Sequence, residues 1–411
     1  MAQSLSRSAR SRSQAVTAKK MKKAATAATT NEVTHIPPQE RCALVLQGGG
    51  ALGAYQGGVY EQLAAHGVLP DWVAGISIGA INAALIAGNP PERRVERLRQ
   101  FWTLITERLS YIDLPDHFGA TAREWLNESR AAWVAGVGIA GFFRPRLPPP
   151  YLQTPGTSAA LSFYDTSELA ETLGQLVDFD LINDRHSRHH VRLSVGAVNV
   201  RTGAYRYFDS DDPRGGGPLG PAHIMASGAL PPGFPPIEID GEQYWDGGIV
   251  SNTPLQYVLD QPRRHDLLVV QVDLFSAQGT LPRHLGEVGE REKDIRFASR
   301  THYHTDQAAH SERMCAAAHR LAARLPKGFE KDADLAELLA SGSPAALTVL
   351  HLIYRSKYYE TQSKDYEFSR QSMQEHWAAG AVDVQASLGH HRWCTRPRTG
   401  HHVTVLDCLQ P

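Results

Sequence analysis

The sequence predicts an α/β protein: a three-layer α/β/α arrangement around a mostly parallel central sheet, followed by a mainly helical C-terminal extension. Three observations carry that prediction. Two strand–turn–helix units follow one another between Arg41 and Gly88, a nearly continuous apolar run "LLVVQVDLF" fills Leu267 to Phe275, and the composition turns to polar helix after about Ser276. A chain of 411 residues that is 42% hydrophobic is long enough for two domains or for one large α/β domain with additions.

The first unit reads "CALVLQ" as a strand, "GGGALG" as a turn and "AYQGGVYEQLAAHG" as a helix that stops at Gly67. The second reads "WVAG" as a strand, "ISIG" as a tight turn and "AINAALIAG" as an apolar helix. Such alternation lays strands parallel with helices on their faces. Further strands are expected at Val191 to Val200, Tyr205 to Asp209 and Leu267 to Phe275. Between them, residues 110–162 contain "WVAGVGIAGFFRPRLPPPYLQTPG", whose clustered prolines and glycines fit no regular element. Long irregular segments of this kind are lids or insertions. The run from Trp133 to Tyr151 has the composition of an apolar lid or interfacial patch and equally that of a Pro-rich insertion packed on the core; its Arg144 and Arg146 face a phosphate or simply solvent. Residues 39–275 are then the main domain and 276–411 the extension.

Charge and cysteine usage exclude several classes. A formal net charge of −1 gives no basic footprint of the kind nucleic-acid binding requires. Cys42, Cys315, Cys394 and Cys408 are widely spaced and form no CxxC pair, so neither a zinc site nor a disulfide framework is expected, and they read as thiols of a reducing compartment. No stretch approaches the roughly 18 consecutive apolar residues of a membrane span. The longest candidate, Trp72 to Ala87, is interrupted by Ser77 and Asn82. Residues 1–38 form a basic arm with Arg7, Arg10, Arg12, Lys19, Lys20, Lys22 and Lys23, too poor in large apolar side chains to build a core and expected to be disordered. Three readings fit the arm: a solvated tail, a segment resting on anionic lipid at about 1 kcal/mol per cation, or an organelle transit peptide. It lacks the apolar centre of a secretory signal.

The chemistry concentrates in three motifs. "GISIG", Gly75 to Gly79, fits G-x-S-x-G between an apolar strand and an apolar helix, where a sharp turn exposes the hydroxyl of Ser77 as a nucleophile. Gly48, Gly49, Gly50 and Gly53 fit G-x-G-x-x-G after a strand, which alone suggests a dinucleotide site. That reading needs an acid about 20 residues on, after the second strand. Asp71 has the separation but stands before "WVAG". Beside an activated serine, bare backbone N–H groups read better as an oxyanion hole. In "YWDGGIVSNTPL", Asp246 precedes Gly247 and Gly248, which let a carboxylate approach a neighbouring strand end.

Together the motifs resemble the patatin-like phospholipase family, which uses a G-x-G-x-x-G loop, a G-x-S-x-G elbow and a D-G-[AG] motif in this order, matched by Gly48 to Gly53, Gly75 to Gly79 and Asp246 to Gly248. The likeness covers about Arg41 to Leu274, and the extension resembles that of a bacterial subgroup. It implies a serine acyl hydrolase acting on phospholipid or another lipid ester through a Ser77–Asp246 dyad, with Gly48, Gly49 and Gly50 as the oxyanion hole and Gly53, Gly75, Gly79, Gly247 and Gly248 supporting the motifs. It also implies independence of calcium, while ligand spacing suggests no metal; no cofactor is expected, and a lipid or fatty-acyl ester is the expected partner of a cytoplasmic protein able to make peripheral membrane contact. A carboxylesterase or storage-polyester depolymerase would share every catalytic residue. A histidine stays open as a third member, since His265, His302, His304 and His310 follow Asp246 in the Ser, Asp, His order of the α/β-hydrolases.

Overall fold

The computed structural model describes residues 40–107, 119–212, 217–261, 265–326, 328–329, 332–340, 345–397 and 403–409. The basic arm at 1–38 and residues 110–118 of the irregular stretch lie outside the described residues. The strands are β1 (Glu40–Leu46), β2 (Trp72–Gly75), β3 (Arg144–Pro145), β4 (Tyr164–Asp165), β5 (Arg192–Asn199), β6 (Tyr205–Asp209), β7 (Ile237–Ile239), β8 (Glu242–Asp246), β9 (Asp266–Asp273), β10 (Leu347–Ile353) and β11 (Val403–Asp407). Nine of them form one sheet in the order β11-β10-β9-β1-β2-β5-β8-β7, with β6 also on β5. From β11 to β5 all neighbours are parallel, and β6, β7 and β8 are antiparallel additions at one side. The α/β class and the mostly parallel sheet are therefore as the sequence predicts.

The helices that bear on the site are α1 (Ala54–Ala65), α2 (Ile78–Ala87), α3 (Pro91–Ile105), α4 (Ala120–Val137), α5 (Pro221–Ser227), α6 (Leu285–Ala322) and α7 (Arg370–Gly389). Strand alternation sorts β1 onto both faces of the sheet. Cys42, Leu44 and Leu46 join the large core with α1, α2, α3 and α7, while Ala43 and Val45 join a smaller core with Leu255 and Val258. Every residue of α2 is buried, so it is apolar all round except at Asn82.

The polar region after Ser276 does more than add helices. It contributes β10, parallel to β9, and then β11 at the sheet edge. The run "LTVLHLI" of β10 is buried throughout, but Thr348 and His351 break its apolar character, which is why it does not stand out in the sequence. The same region sends α7 against α1 at a glycine face. A Cβ on Gly58 would overlap the Trp377 carbonyl, and one on Gly380 would overlap the Tyr55 carbonyl, so the two backbones touch. Trp377 Nε1 then donates to Glu61 at 2.6 Å.

Candidate active site

Ser77 stands between β2 and α2 with φ 55° and ψ −125°, a conformation in which a non-glycine residue is strained. Its neighbours leave no freedom to relax. A Cβ on Gly75 would overlap the Gly79 carbonyl, and one on Gly79 would overlap the Leu46 carbonyl, so strand, turn, helix and β1 are in backbone contact. The Ser77 N–H is held from α5, donating to the Ser227 carbonyl at 3.1 Å and to Ser227 Oγ at 3.1 Å. In the sequence Ser227 belongs to the Ala-Ser pair that opens the proline-rich approach to Asp246, "MASGALPPGFPP", which resembles the same stretch of the family.

Strand register brings Asp246 to the same height. Gly75 pairs with Val195 and Asp246 pairs with Ala197, so β5 lies between the serine elbow and the aspartate, which sit level across it. Asp246 is 2% exposed. Burial pushes its carboxyl up to about 7, against a Gly248 N–H and the Ser77 hydroxyl, which both hydrogen-bond the charged form and hold it down. The Gly248 N–H donates to Oδ1 at 2.7 Å. Gly247 lies so close to the Gly196 carbonyl, 2.6 Å from where a Cβ would be, that no side chain fits there.

The glycine loop after β1 faces the same place. Gly48 is clamped from both sides by Asn252: its N–H donates to the Asn252 carbonyl at 3.2 Å, and Asn252 Nδ2 donates to its carbonyl at 2.8 Å. With its N–H engaged, Gly48 serves by lacking a side chain, since a Cβ would come within 3.0 Å of Ser77 Cβ. The N–H groups of Gly49 and Gly50 meet no acceptor among the described residues, whereas that of Ala51 donates to the Asp365 carbonyl at 2.8 Å. Beneath the loop runs a buried polar chain. Trp102 Nε1 donates to Asn82 Oδ1 at 3.0 Å, Asn82 Nδ2 to the Gly53 carbonyl at 3.0 Å and Gln56 Oε1 at 2.9 Å, and Gln56 Nε2 to the Gln47 carbonyl at 2.7 Å. Asn82, which interrupts the apolar run in the sequence, is thus what fixes the loop to α2. Gly53 packs on Ile78 with no room for a Cβ, 2.6 Å from its Cγ1.

Ser77, Asp246, Gly48, Gly49, Gly50 and Gly248 open on one cavity of about 380 Å³. Its apolar wall includes Phe142, Phe143, Phe234, Phe275, Phe297 and Phe368. The irregular stretch therefore divides: Phe142 and Phe143 are buried in this wall, whereas Leu147, Tyr151 and Leu152 are 87%, 78% and 69% exposed. Arg146 is committed to Asp165 at 3.0 Å and to Ser162, and Arg144 is exposed. A larger, polar hollow of about 610 Å³ between α4, α6 and residues 353–362 holds none of the motif residues. No histidine lines the 380 Å³ cavity among the described residues. His265 and His310 are exposed, and the side chains of His302 and His304 lie outside the description.

Asp71 lies at the start of β2, where its Oδ2 accepts from the Cys42 N–H at 3.0 Å. It is at the opposite end of the sheet from the glycine loop, which follows the last residue of β1. Among the described residues no group of three or more His, Cys, Asp and Glu side chains is placed to hold a metal, and no helix is long and apolar enough to cross a membrane.

An α/β sheet carrying a serine elbow, an aspartate and a glycine loop on one apolar cavity defines a narrow class of proteins. The chain belongs to the patatin-like phospholipase family, whose model matches residues 44–259, and a second family model described as patatin phospholipase matches residues 295–400. No curated protein sequence matches the chain significantly. Among solved structures, VipD from Legionella pneumophila is similar at 15% identity and a TM-score of 0.39, over 85% of this chain and 66% of its own. Human GIVD cytosolic phospholipase A2 is similar at 12% identity and a TM-score of 0.31, over 57% of this chain and 43% of its own. ExoU, in its complex with SpcU from the type III secretion system of Pseudomonas aeruginosa, is similar at 19% identity and a TM-score of 0.26, over 66% of this chain and 52% of its own. The chain thus spans just under two thirds of the first of these and about half or less of the other two.

Proposed function

We infer that the protein is a lipid acyl hydrolase in which Ser77 is the nucleophile, Asp246 the general base and the Gly49 and Gly50 N–H groups the oxyanion donors. The observation that carries this reading is that Ser77 and a buried Asp246 share the wall of one apolar cavity. Ser77 Oγ attacks the ester carbonyl carbon while Asp246 accepts the hydroxyl proton. The carbonyl electrons move onto oxygen, and the two N–H groups stabilise that charge in a site with little water. Collapse of the tetrahedral intermediate breaks the ester C–O bond, and Asp246 returns the proton to the departing alcohol. Water then cleaves the acyl-enzyme by the same steps. A carboxylate is ordinarily far too weak a base for a hydroxyl, and burial that lifts Asp246 to about 7 narrows the mismatch.

The cavity favours a fatty-acyl chain over a polar ester. Exposed Leu147, Tyr151, Leu152 and Phe163 lie on the β3–β4 region, whose Phe163 and Tyr164 N–H groups bond to the Pro232 and Gly233 carbonyls of the cavity wall. An apolar surface so close to the site fits peripheral contact with a lipid aggregate.

The test measures release of fatty acid from phospholipid vesicles, and of p-nitrophenol from a short ester, by wild type, Ser77→Ala and Asp246→Asn. Loss of both activities in both variants is the expected result. Turnover of the short ester without fatty acid release would transfer the protein to soluble esters or polyesters, and activity in Ser77→Ala would refute the serine mechanism.

A further inference from the structure

The two unengaged oxyanion donors sit between two anchored points of the glycine loop. One anchor is Gly48, held by Asn252. The other is Ala51, whose N–H donates to the carbonyl of Asp365, far along the chain in the segment between β10 and α7. Contact there is direct: Gly50 has φ 55°, and a Cβ on it would overlap that same carbonyl oxygen. If Asp365 moved, the Gly49 and Gly50 peptide planes would be free to turn.

Residues 354–368 form a strap, and the strap is held by charge. Lys364 is 1% exposed at its side chain and donates to Glu290 at 3.0 Å, Asp294 at 2.7 Å and Ser356 Oγ at 2.6 Å, which uses all three ammonium protons. Glu290 and Asp294 are one turn apart on α6, and Ser356 is at the start of the strap. Between them on the same helix, Lys293 donates to the Gln362 carbonyl at 2.7 Å and to Asp365 Oδ1 at 2.7 Å. On the other flank, Glu128 of α4 accepts from Ser363 Oγ at 3.1 Å. Asp365, Tyr366 and Phe368 then line the cavity itself.

We propose that Lys364 is a positioning residue for hydrolysis: by tying the strap to α6 it fixes the Asp365 carbonyl against Ala51 and so aims the Gly49 and Gly50 N–H groups at the developing oxyanion. The proposal rests on the oxyanion reading given above. Its signature is kinetic, because donors that act only in the transition state change kcat and leave ground-state binding alone. Removing one such donor outright costs about 100- to 1000-fold in kcat, so misaiming both by a loosened strap is expected to cost about tenfold or more.

The experiment compares wild type, Lys364→Met, Lys364→Arg, Lys293→Met and Ser77→Ala on p-nitrophenyl butyrate, with thermal melting as the check on folding. Lys364→Met is expected to lose about tenfold in kcat with KM within about threefold, and Lys364→Arg, which keeps the charge, to recover most of it. Should Lys364→Met fail to fold, Lys293→Met decides, since it loosens the same strap from a less buried site; a loss in kcat at constant KM is expected there too. A folded strap variant with wild-type kcat, or one that changes only KM, overturns the proposal. Because Ser77→Ala is measured alongside, an active Ser77→Ala would instead bring down the serine reading, whatever the strap variants do.

Discussion

Two strands of one sheet end in a buried aspartate, Asp246 on β8 and Asp273 on β9, and burial pushes both carboxyls up to about 7. They differ in what they meet. Asp246 meets the Ser77 hydroxyl and a cavity, whereas Asp273 meets the amide of Gln271, whose Nε2 donates to its two oxygens at 3.1 and 2.9 Å, and does not line that cavity. A raised carboxyl is therefore no mark of a base on its own. What distinguishes a base is a proton it can take from a group that can then react.

The largest expected effect tests that distinction. Asp246→Asn is expected to lower kcat about 100- to 10,000-fold, the usual worth of a general base, while Asp273→Asn stays within a few-fold of wild type. Steady-state kinetics on a short ester decide it, and equal losses in both variants would erase the difference. In wild type kcat/KM is expected to rise with pH through about 7, as Asp246 loses its proton, and Asp273→Asn is expected to keep that profile.

Stability should treat the two aspartates alike. Each holds its proton in the folded protein up to about 7, while in the unfolded chain it loses it near 3.8. Between those values the folded state binds the extra proton, so stability falls as pH rises, and above about 7 each buried charge costs up to about 4 kcal/mol. Either aspartate-to-asparagine variant is thus expected to melt higher than wild type at pH 8 and to lose that advantage at pH 4. A gain that is the same at both pH values would show that burial of the charge is not its source. The smallest effect concerns the loop: Asn252→Ala removes the Nδ2 donor on Gly48 and is expected to lower kcat about tenfold with KM little changed. An unchanged kcat would leave Gly48 held by its N–H alone.

The residues legible in the sequence are those whose chemistry needs a fixed local pattern. Ser77 and its flanking glycines show because a strained turn tolerates so few residue types, and Asp246 shows because two glycines follow it. β1, β2, β5, β6 and β9 show because they are apolar or alternating over several residues. What stays hidden is what acts through distance. Asn252 and Asp365 contribute a carbonyl or an amide to a loop far away in the chain, and any residue has a carbonyl, so Asp365 leaves no trace. The glycine pair Gly57–Gly58 is visible as an oddity in a helix, but its reason, the ring of Trp377 against Gly57 and the Trp377 carbonyl against Gly58, lies more than 300 residues later.

That glycine face has a consequence for the order of events during synthesis. α1 directly follows the glycine loop, yet its bare side is shaped for a helix made more than 300 residues later, just after the strap that holds Ala51. A ribosome elongates at about 5 to 20 residues per second, so well over ten seconds separate the making of the nucleophile from the making of the wall beside it. For that interval the growing polypeptide carries Ser77 without Asp365, Tyr366 or Phe368. The wall that closes the apolar cavity around Ser77 is thus the last part of that cavity to be made.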